Sequence, residues 1–371
     1  MGDTVVGLLE IRRRKTQFAL IASVFVLIAY LVMMINGLGI GLNQLAGSAL
    51  LNMDADAFAY SSDAGRSVIR SELSQETVDS IQTAPGVDES APLAYAAASY
   101  ERSSGSISSA ALIGYDPGTI AEPTVIDGRA LTEDDQHGIL ADTTFLDESG
   151  LSIGDSLTVR LRLQAVELTI VGEIDEGAFF FQPAVYLLRS TLIDLKYGTA
   201  LDGGGPVASV VLTQGDDTIR SGEGFELVDK QTAFDNIEGV AGQQSTVQAL
   251  QGFGYIIGAM IVGVFFYVLT LQKIPQFGML KALGASNRYI IGQLLIQVIV
   301  IAGIGIALSL PLAILTDRGL QSLPDSVPIA FTTSMFVTTC VALLVTALLG
   351  AIFSARQVLR VDPIIALGQQ Q

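Results

Sequence analysis

The sequence is poor in the residues from which enzymes build catalytic centres. Among 371 residues it has one cysteine, one histidine and no tryptophan. Because Cys340 is the single cysteine, no disulfide framework can form within the chain. His137 stands in a polar turn, where a merely exposed side chain is the simplest interpretation, and any Ser-His-Asp set would require it. We predict no catalytic residue and no intrinsic metal site.

Two further absences narrow the class of protein. The chain contains no G-x-x-x-x-G-K-[ST] motif, so it cannot cradle nucleotide phosphates in the Walker manner. Charged residues make up only 15% of the chain, whereas half of it is hydrophobic. A soluble protein of this length would carry more charge, so part of the chain is expected to lie in lipid.

Four apolar runs without a charged residue are long enough to cross a membrane; they cover 17–40, 252–271, 289–315 and 334–353. A hydrocarbon core of about 30 Å takes roughly 20 helical residues. The first run could instead be a signal peptide, but its apolar stretch is about twice the usual length and no small-x-small cleavage site closes it cleanly. We therefore expect a retained transmembrane helix.

The basic residues indicate the orientation. They flank the first run, separate the second run from the third, and follow the fourth: Arg12, Arg13, Arg14, Lys15, Lys273, Lys281, Arg288, Arg356 and Arg360. With four spans these regions share one side, and cytoplasmic segments carry an excess of Lys and Arg. The sequence therefore predicts a plasma-membrane protein with both termini in the cytoplasm.

The predicted fold class is a multi-pass α-helical membrane protein with four transmembrane helices and an extracytoplasmic α+β domain. Its segments are a cytoplasmic N-terminus (1–16), the first transmembrane helix (17–42), the outer domain with helical stalks (43–251), the second helix (252–272), a cytoplasmic coupling helix (273–288), the third helix (289–315), an outer loop (316–333), the fourth helix (334–354) and a cytoplasmic tail (355–371).

The outer domain holds 32 of the 37 acidic residues and ten basic ones. An excess of negative charge argues against nucleic acid as a partner. Ser74 followed by an amphipathic run predicts a capped helix over 74–82, and alternation over 156–174 predicts a β-hairpin. Further strands are expected near 95–100, 108–115, 184–188, 207–213 and 225–228, and a polar helical stretch over 231–250 is expected to run straight into the second span.

The coupling helix has clear start and stop signals. Pro275 suits a first helical turn, Gly284 suits the position just after the helix, and Ser286 or Asn287 suits the cap of the next helix. Phe277, Leu280 and Leu283 recur on one side. These apolar side chains on the cytoplasmic side could bind in a groove of a soluble partner. Alternatively, the segment could be an amphipathic connector that lies on the inner leaflet.

The same segment, KIPQFGMLKALGA at 273–285, resembles the coupling segment x-E-I-G-x-L-[RK]-A-x-G-A of the MacB/FtsX/LolCE-type ABC transporter permeases, with Gln276 in place of the usual acidic residue. The run 125–129 followed by Asp135, then Gly154-Asp155 and Val171-Gly172, resembles part of that family's outer domain. The tail at 356–367 resembles its C-terminal x-x-P-x-x-A-L.

This resemblance implies a homodimeric permease in membrane lipid that works by mechanotransmission with two copies of an ABC ATPase. ATP and Mg would then be bound by the partner ATPase, and this chain would bind no cofactor and would not be an enzyme by itself. The resemblance assigns ATPase coupling to Pro275, Phe277, Leu280, Lys281, Leu283 and Gly284.

A narrower resemblance concerns the start of the chain at 8–30 and the run 265–282, which are similar to the heme-regulated transporter permease of Gram-positive bacteria. It implies heme as the exported substrate. Tyr30, Met33 and Met34 are ligand-type residues for heme iron, and Tyr255 lies at the same depth. Phe253 is available for stacking, and Glu238 is a candidate carboxylate contact.

Close helix packing is the simpler interpretation of this region. Gly37 and Gly41 form a G-x-x-x-G pair, as do Gly254 and Gly258, and small residues at that spacing let helices approach within or between protomers. Two alternatives to heme export remain. One is export of another hydrophobic substrate, such as a peptide antibiotic or a lipid. The other is a non-transporting signal transmitter to a cell-wall hydrolase, which predicts a tight extracellular protein partner.

Overall fold

The computed structural model describes residues 15–162, 164–198, 205–215, 221–321 and 327–359. The chain forms two compact units. A membrane unit comprises Met1–Gly41 and Gln244–Gln371, and an α+β unit comprises Leu42–Gln243. Parts of the predicted N-terminus and cytoplasmic tail, including Asp362-Pro363 and Ala366-Leu367, lie outside the described residues.

In chain order the elements are α1 (Lys15–Asn52), β1 (Ala57–Ser61), α2 (Gln75–Gln82), β2 (Val87–Glu101), β3 (Ile107–Tyr115), β4 (Val125–Gly128), β5 (Gly138–Asp142), α3 (Thr143–Ser149), β6 (Ser156–Leu161), β7 (Gln164–Ile174), β8 (Ala178–Phe179), β9 (Gln182–Leu188), α4 (Arg189–Tyr197), β10 (Val210–Gly215), β11 (Phe225–Asp229), α5 (Lys230–Asp235), α6 (Val240–Gln272), α7 (Ile274–Ala282), α8 (Asn287–Gln321) and α9 (Thr333–Leu359).

Four helices of the described chain are long and apolar enough to cross a membrane, namely α1, α6, α8 and α9. The predicted fold class, with four such helices and an α+β domain, is confirmed. The helices extend beyond the predicted spans, since α1 continues to Asn52 and α6 already begins at Val240. Hydropathy marks only the part of a helix that matches the hydrocarbon core, and helix ends depend on local backbone signals instead.

The two glycine pairs of the membrane unit pack against different partners. A Cβ added at Gly254 or Gly258 of α6 would lie 3.2 Å from Val32 or 3.1 Å from Ile28 of α1. The glycines of α1 face a loop instead, since the Ala330 amide donates to the Gly37 carbonyl at 3.1 Å and Gly41 lies against the Pro328 carbonyl. Both pairs therefore serve close packing within one chain.

The α+β unit is built on one mixed sheet of eleven described strands. Its main order is β11-β1-β10-β2-β3-β9-β5-β7-β4, with β6 beside β2 and β7, and β8 beside β9. The pairs β3–β9 and β5–β7 are parallel, and the other pairs are antiparallel. The core lies against the sheet and includes the buried rings of Tyr60, Tyr115, Phe145 and Tyr186.

The local predictions in this unit had mixed outcomes. The helix over 74–82 forms as α2, with the Ser74 side chain accepting from the Thr77 amide. The predicted hairpin forms from β6 and β7, which pair from Ser156 with Thr169 to Leu161 with Gln164. The expected continuous helix over 231–250 is wrong: α5 ends at Asp235, and Gly239 has a φ of 92°. That left-handed backbone cannot belong to a helix, so α6 begins only after it.

A compact loop after β4 explains one of the motifs seen in the sequence. The Arg129 guanidinium donates two 2.7 Å bonds to the Asp135 carboxylate, and the Thr132 amide and hydroxyl donate to the same carboxylate. These contacts, led by the Arg129 hydrogen bonds, hold the pKa of Asp135 well below its ordinary value. The neighbouring Leu131 is buried. The run from Gly128 to Asp135 is thus a turn that is stabilised by hydrogen bonds between its own residues.

We predict that Asp135→Asn loosens this loop at neutral pH. A depressed carboxyl pKa gives stability that is present above the ordinary value of 3.8 and is lost as the pH falls through the folded value, so the difference between mutant and wild type should shrink below pH 3.8 and vanish only below the folded pKa. Hydrogen exchange of peptides covering 125–142 should quicken roughly two- to fivefold at pH 7. Asp134→Asn, the same change at an exposed neighbour, is the control, and equal effects of the two changes would contradict the prediction.

Candidate functional site

The helix α7, which the sequence predicts to be a coupling helix, lies between α6 and α8. Lys273 occupies its N-cap position, with Pro275 in the first turn. At the other end, the Gly284 amide donates to the Lys281 carbonyl at 3.0 Å and the Ala285 amide donates to the Leu280 carbonyl at 2.9 Å. Gly284 has a φ of 91°, the left-handed backbone that this pair of bonds requires. The glycine stop predicted from the sequence is therefore formed.

The cap of α8 completes the connection. The Ser286 side chain accepts from the Tyr289 amide at 3.2 Å, so Ser286 rather than Asn287 caps α8. Four residues, Leu283 to Ser286, thus separate α7 from α8. The direction of α7 relative to α8 is set locally by the backbone of Leu283 to Ser286.

Three apolar side chains are exposed on α7 or at its C-cap, alongside the exposed Gln276. Met279, Leu280 and Leu283 expose 57%, 38% and 80% of their surface. The side chains of Pro275 and Phe277 lie outside the described part of the structure. Gly278 is buried and Lys281 is half-buried. An apolar patch of this kind on a short helix is suited to a hydrophobic groove.

The heme candidates of α1 face the interior of the membrane unit. Met33 is fully buried, and its Sδ accepts a 3.5 Å hydrogen bond from the Ser309 hydroxyl. The Tyr30 hydroxyl donates to Thr316 Oγ1 at 3.1 Å. Met34 is partly buried against the same core. Tyr30 and Met33 are therefore engaged with residues of α8.

The remaining candidates lie elsewhere. Phe253 exposes 61% of its surface on α6, whereas Tyr255 is partly buried and accepts from Asn36 at 3.4 Å. Glu238, in the α+β unit, accepts from the Ser67 hydroxyl. The Glu238 charge raises the pKa of Tyr60 and Tyr95, although burial is the larger cause. Within the described residues of one chain, the candidates of the membrane unit do not converge on one cavity.

A polar contact among three helices was not anticipated from the sequence. Asn36 of α1 is buried, and its Nδ2 donates to Thr339 Oγ1 of α9 at 2.6 Å as well as to the Tyr255 hydroxyl of α6. Its Oδ1 is buried without a hydrogen-bond partner among the described residues. The available signal was the amide of Asn36 inside the apolar run 17–40, because polar side chains in a span usually face other helices.

These observations define a multi-pass membrane protein with an amphipathic helix between its second and third spanning helices. A family described as FtsX-like permease C-terminal matches residues 250–363, which include α7, α8 and α9. This part of the chain is similar to the FtsX-like permeases, and the resemblance to the MacB/FtsX-type permeases predicted from the sequence is confirmed.

Two relatives illustrate the range of similarity. A hemin transport system permease protein, HrtB, of Staphylococcus haemolyticus is 30% identical over 152 residues, which are 41% of this chain and 42% of that protein. The chain thus matches less than half the length of this relative. An uncharacterized ABC transporter permease of Mycobacterium tuberculosis is 28% identical over 370 residues, or 96% of each protein.

Among solved structures, the periplasmic region of MacB from Actinobacillus actinomycetemcomitans matches with a TM-score of 0.36 and 13% identity. The match covers 50% of this chain and 94% of that one. A TM-score this low does not establish a common fold.

We predict that Thr339→Val lowers the stability of the membrane unit by about 0.5–2 kcal/mol, because it removes an acceptor from the buried Asn36 amide. Thr338→Val is the matched control, since that exposed hydroxyl donates to the Ser334 and Met335 carbonyls of its own helix. Unfolding of both variants in mixed micelles, titrated with a denaturing detergent, measures the difference. Equal stabilities would show that the three-helix contact contributes nothing.

Proposed function

We propose that this chain is the membrane subunit of an ABC-type efflux transporter, in which two copies work with two copies of a separate ATPase. The single observation that carries the proposal is α7, a short helix that ends at a left-handed glycine and presents an apolar patch between two spanning helices. The family match over 250–363 supports it, because this match includes the whole of α7. The chain contains no Walker motif, so the ATP must be bound by the partner.

The proposed mechanism is mechanical. The basic residues place α7 and both termini in the cytoplasm and the acidic α+β unit outside the plasma membrane. When ATP draws the two ATPases together, they push on α7. The push tilts the spanning helices and closes a cavity in the outer leaflet, which expels a hydrophobic substrate.

Heme is the first substrate to test. The support is the similarity to HrtB, which is named as a hemin transport permease and covers only part of the chain. The side chain best placed to meet a flat ligand is Phe253, because it is exposed on α6, where a second copy of the chain could cover the ligand. Met33 is enclosed by its own helix bundle and would have to leave Ser309 to bind iron.

The role of α7 is tested by replacing both described leucines of its patch, Leu280→Asp and Leu283→Asp. Burying each leucine in a partner contributes about 1.5–3 kcal/mol, so the double variant should bind the ATPase on the order of a hundredfold more weakly. The readout is the amount of ATPase retained, with its ATP hydrolysis, when the tagged full chain is purified.

Gln276→Glu is the matched control, because it adds negative charge to the same helix at the position where the family carries an acid. We expect it to retain the ATPase. If the leucine variant keeps a normal amount of ATPase and normal export, α7 is not the coupling element.

Heme as the substrate is tested by titrating the purified full chain with hemin and recording the absorption spectrum. We expect a saturable shift of the Soret band, with an apparent dissociation constant raised roughly fivefold by Phe253→Ala. Val337→Ala, at a similarly exposed apolar position of α9, is the control. An unchanged spectrum would discard heme, leave the permease function in place and direct the search to peptides and lipids.

A further inference from the structure

A buried cationic side chain lies at the start of the coupling helix. Lys273 exposes only 3% of its surface, and among the described residues no other lysine or arginine is buried. Burying an ammonium group away from water is costly, and ionisable residues within a membrane unit usually have a specific task. The proposed function uses the apolar patch of α7 and assigns no role to Lys273.

The Lys273 side chain contacts α8. Its Nζ donates to Gln297 Oε1 at 3.4 Å, and Gln297 is itself 3% exposed. The backbone of Lys273 is fixed as well, since its amide donates to the Thr270 carbonyl at 3.1 Å at the end of α6. Both ends of the side chain are thus held by the membrane unit. Hydrogen bonds made by a charged donor are roughly twice as strong as neutral ones.

The contact closes a triangle of three elements. The first side is α7, whose nine residues extend about 13 Å at 1.5 Å per residue. The second side is α8 from Asn287 to Gln297, about 15 Å long. These two sides are joined at one corner by the backbone around Gly284. The third side is the Lys273 side chain, which joins the far end of α7 to Gln297.

The third side gives α7 an attachment to α8 in addition to the backbone connection of Leu283 to Ser286. If this attachment is lost, a force on Met279, Leu280 and Leu283 turns α7 further about Gly284 and moves α8 less. With the contact in place, the two helices resist that rotation and move together. The geometry of the membrane unit therefore gives the buried ammonium a mechanical role.

We propose that Lys273 is a positioning residue whose hydrogen bond to Gln297 makes α7 and the first three turns of α8 one rigid lever. This inference rests on the proposed function, in which α7 receives the push of an ATPase. The rigidity of the lever can be measured on the chain without an ATPase. The role of Lys273 and the proposed function can therefore be contradicted independently of each other.

The test measures the distance between α7 and α8 directly. Spin labels are placed at Met279→Cys and Ile299→Cys, both exposed positions, in a Cys340→Ser background of the full chain in lipid nanodiscs. Pulsed electron resonance should give one narrow distance distribution. Lys273→Met should broaden it, and Lys273→Arg, which keeps a cationic donor, should restore it.

Gln272→Met is the matched control, because it removes a polar side chain at the adjacent exposed position, and it should leave the distribution narrow. Gln297→Leu tests the same contact from α8 if Lys273→Met does not insert into the membrane. If the distance distribution stays narrow in Gln297→Leu, or in a Lys273→Met variant that folds, the proposal is overturned. This holds whatever the transport activity of the variant is.

A second readout separates a lever from a merely structural contact. In the complex with its ATPase, Lys273→Met should keep ATP hydrolysis while the substrate exported per ATP falls on the order of tenfold, the effect of losing one hydrogen bond to a charged group. Unchanged export per ATP would also overturn the proposal. Failure of the wild-type chain to bind any ATPase would instead overturn the proposed function and leave the distance measurement valid.

Discussion

Close approach between α1 and α6 is the contact on which the membrane unit depends. In hydrocarbon, helices gain nothing by hiding apolar side chains from one another, so association relies on dense packing and on polar contacts. Gly254 and Gly258 let Val32 and Ile28 come within van der Waals distance of the α6 backbone. The polar contact of Asn36 with Thr339 and Tyr255 then joins α9 to the same pair of helices. Of the two helices that flank α7, α6 is held in this way.

The sequence predicted best the features that arise within a single element. Long apolar runs identify spanning helices because the thickness of the bilayer sets their length, and a left-handed glycine ends a helix whatever surrounds it. The alternating hairpin β6–β7 was found for the same reason. Strands such as β5, buried along its whole length, have no alternation to detect, so they were missed. The continuous helix expected over 231–250 was wrong because one positive φ at Gly239 outweighs a helical composition.

At the candidate site, the sequence predicts local arrangement but not contacts between distant elements. The residues of the coupling helix are neighbours in the chain, so their arrangement could be derived from spacing alone. The heme candidates Tyr30, Met33 and Phe253 were grouped by depth in the membrane, but depth does not fix the direction in which a side chain points around its helix. In the structure, Tyr30 and Met33 face α8 while Phe253 is exposed. Contacts between distant elements, such as Asn36 with Thr339, require the tertiary packing.

The charge of the α+β unit has a consequence for whatever is released near it. With 32 acidic and ten basic residues over 43–251, this unit carries a strong negative potential, which reaches about 8 Å into solution at physiological ionic strength. An anion set free within that range is driven away, whereas a cation is drawn back and kept at a raised local concentration. The unit therefore lowers the local concentration of anions at its surface and raises that of cations, and both effects weaken as salt is added.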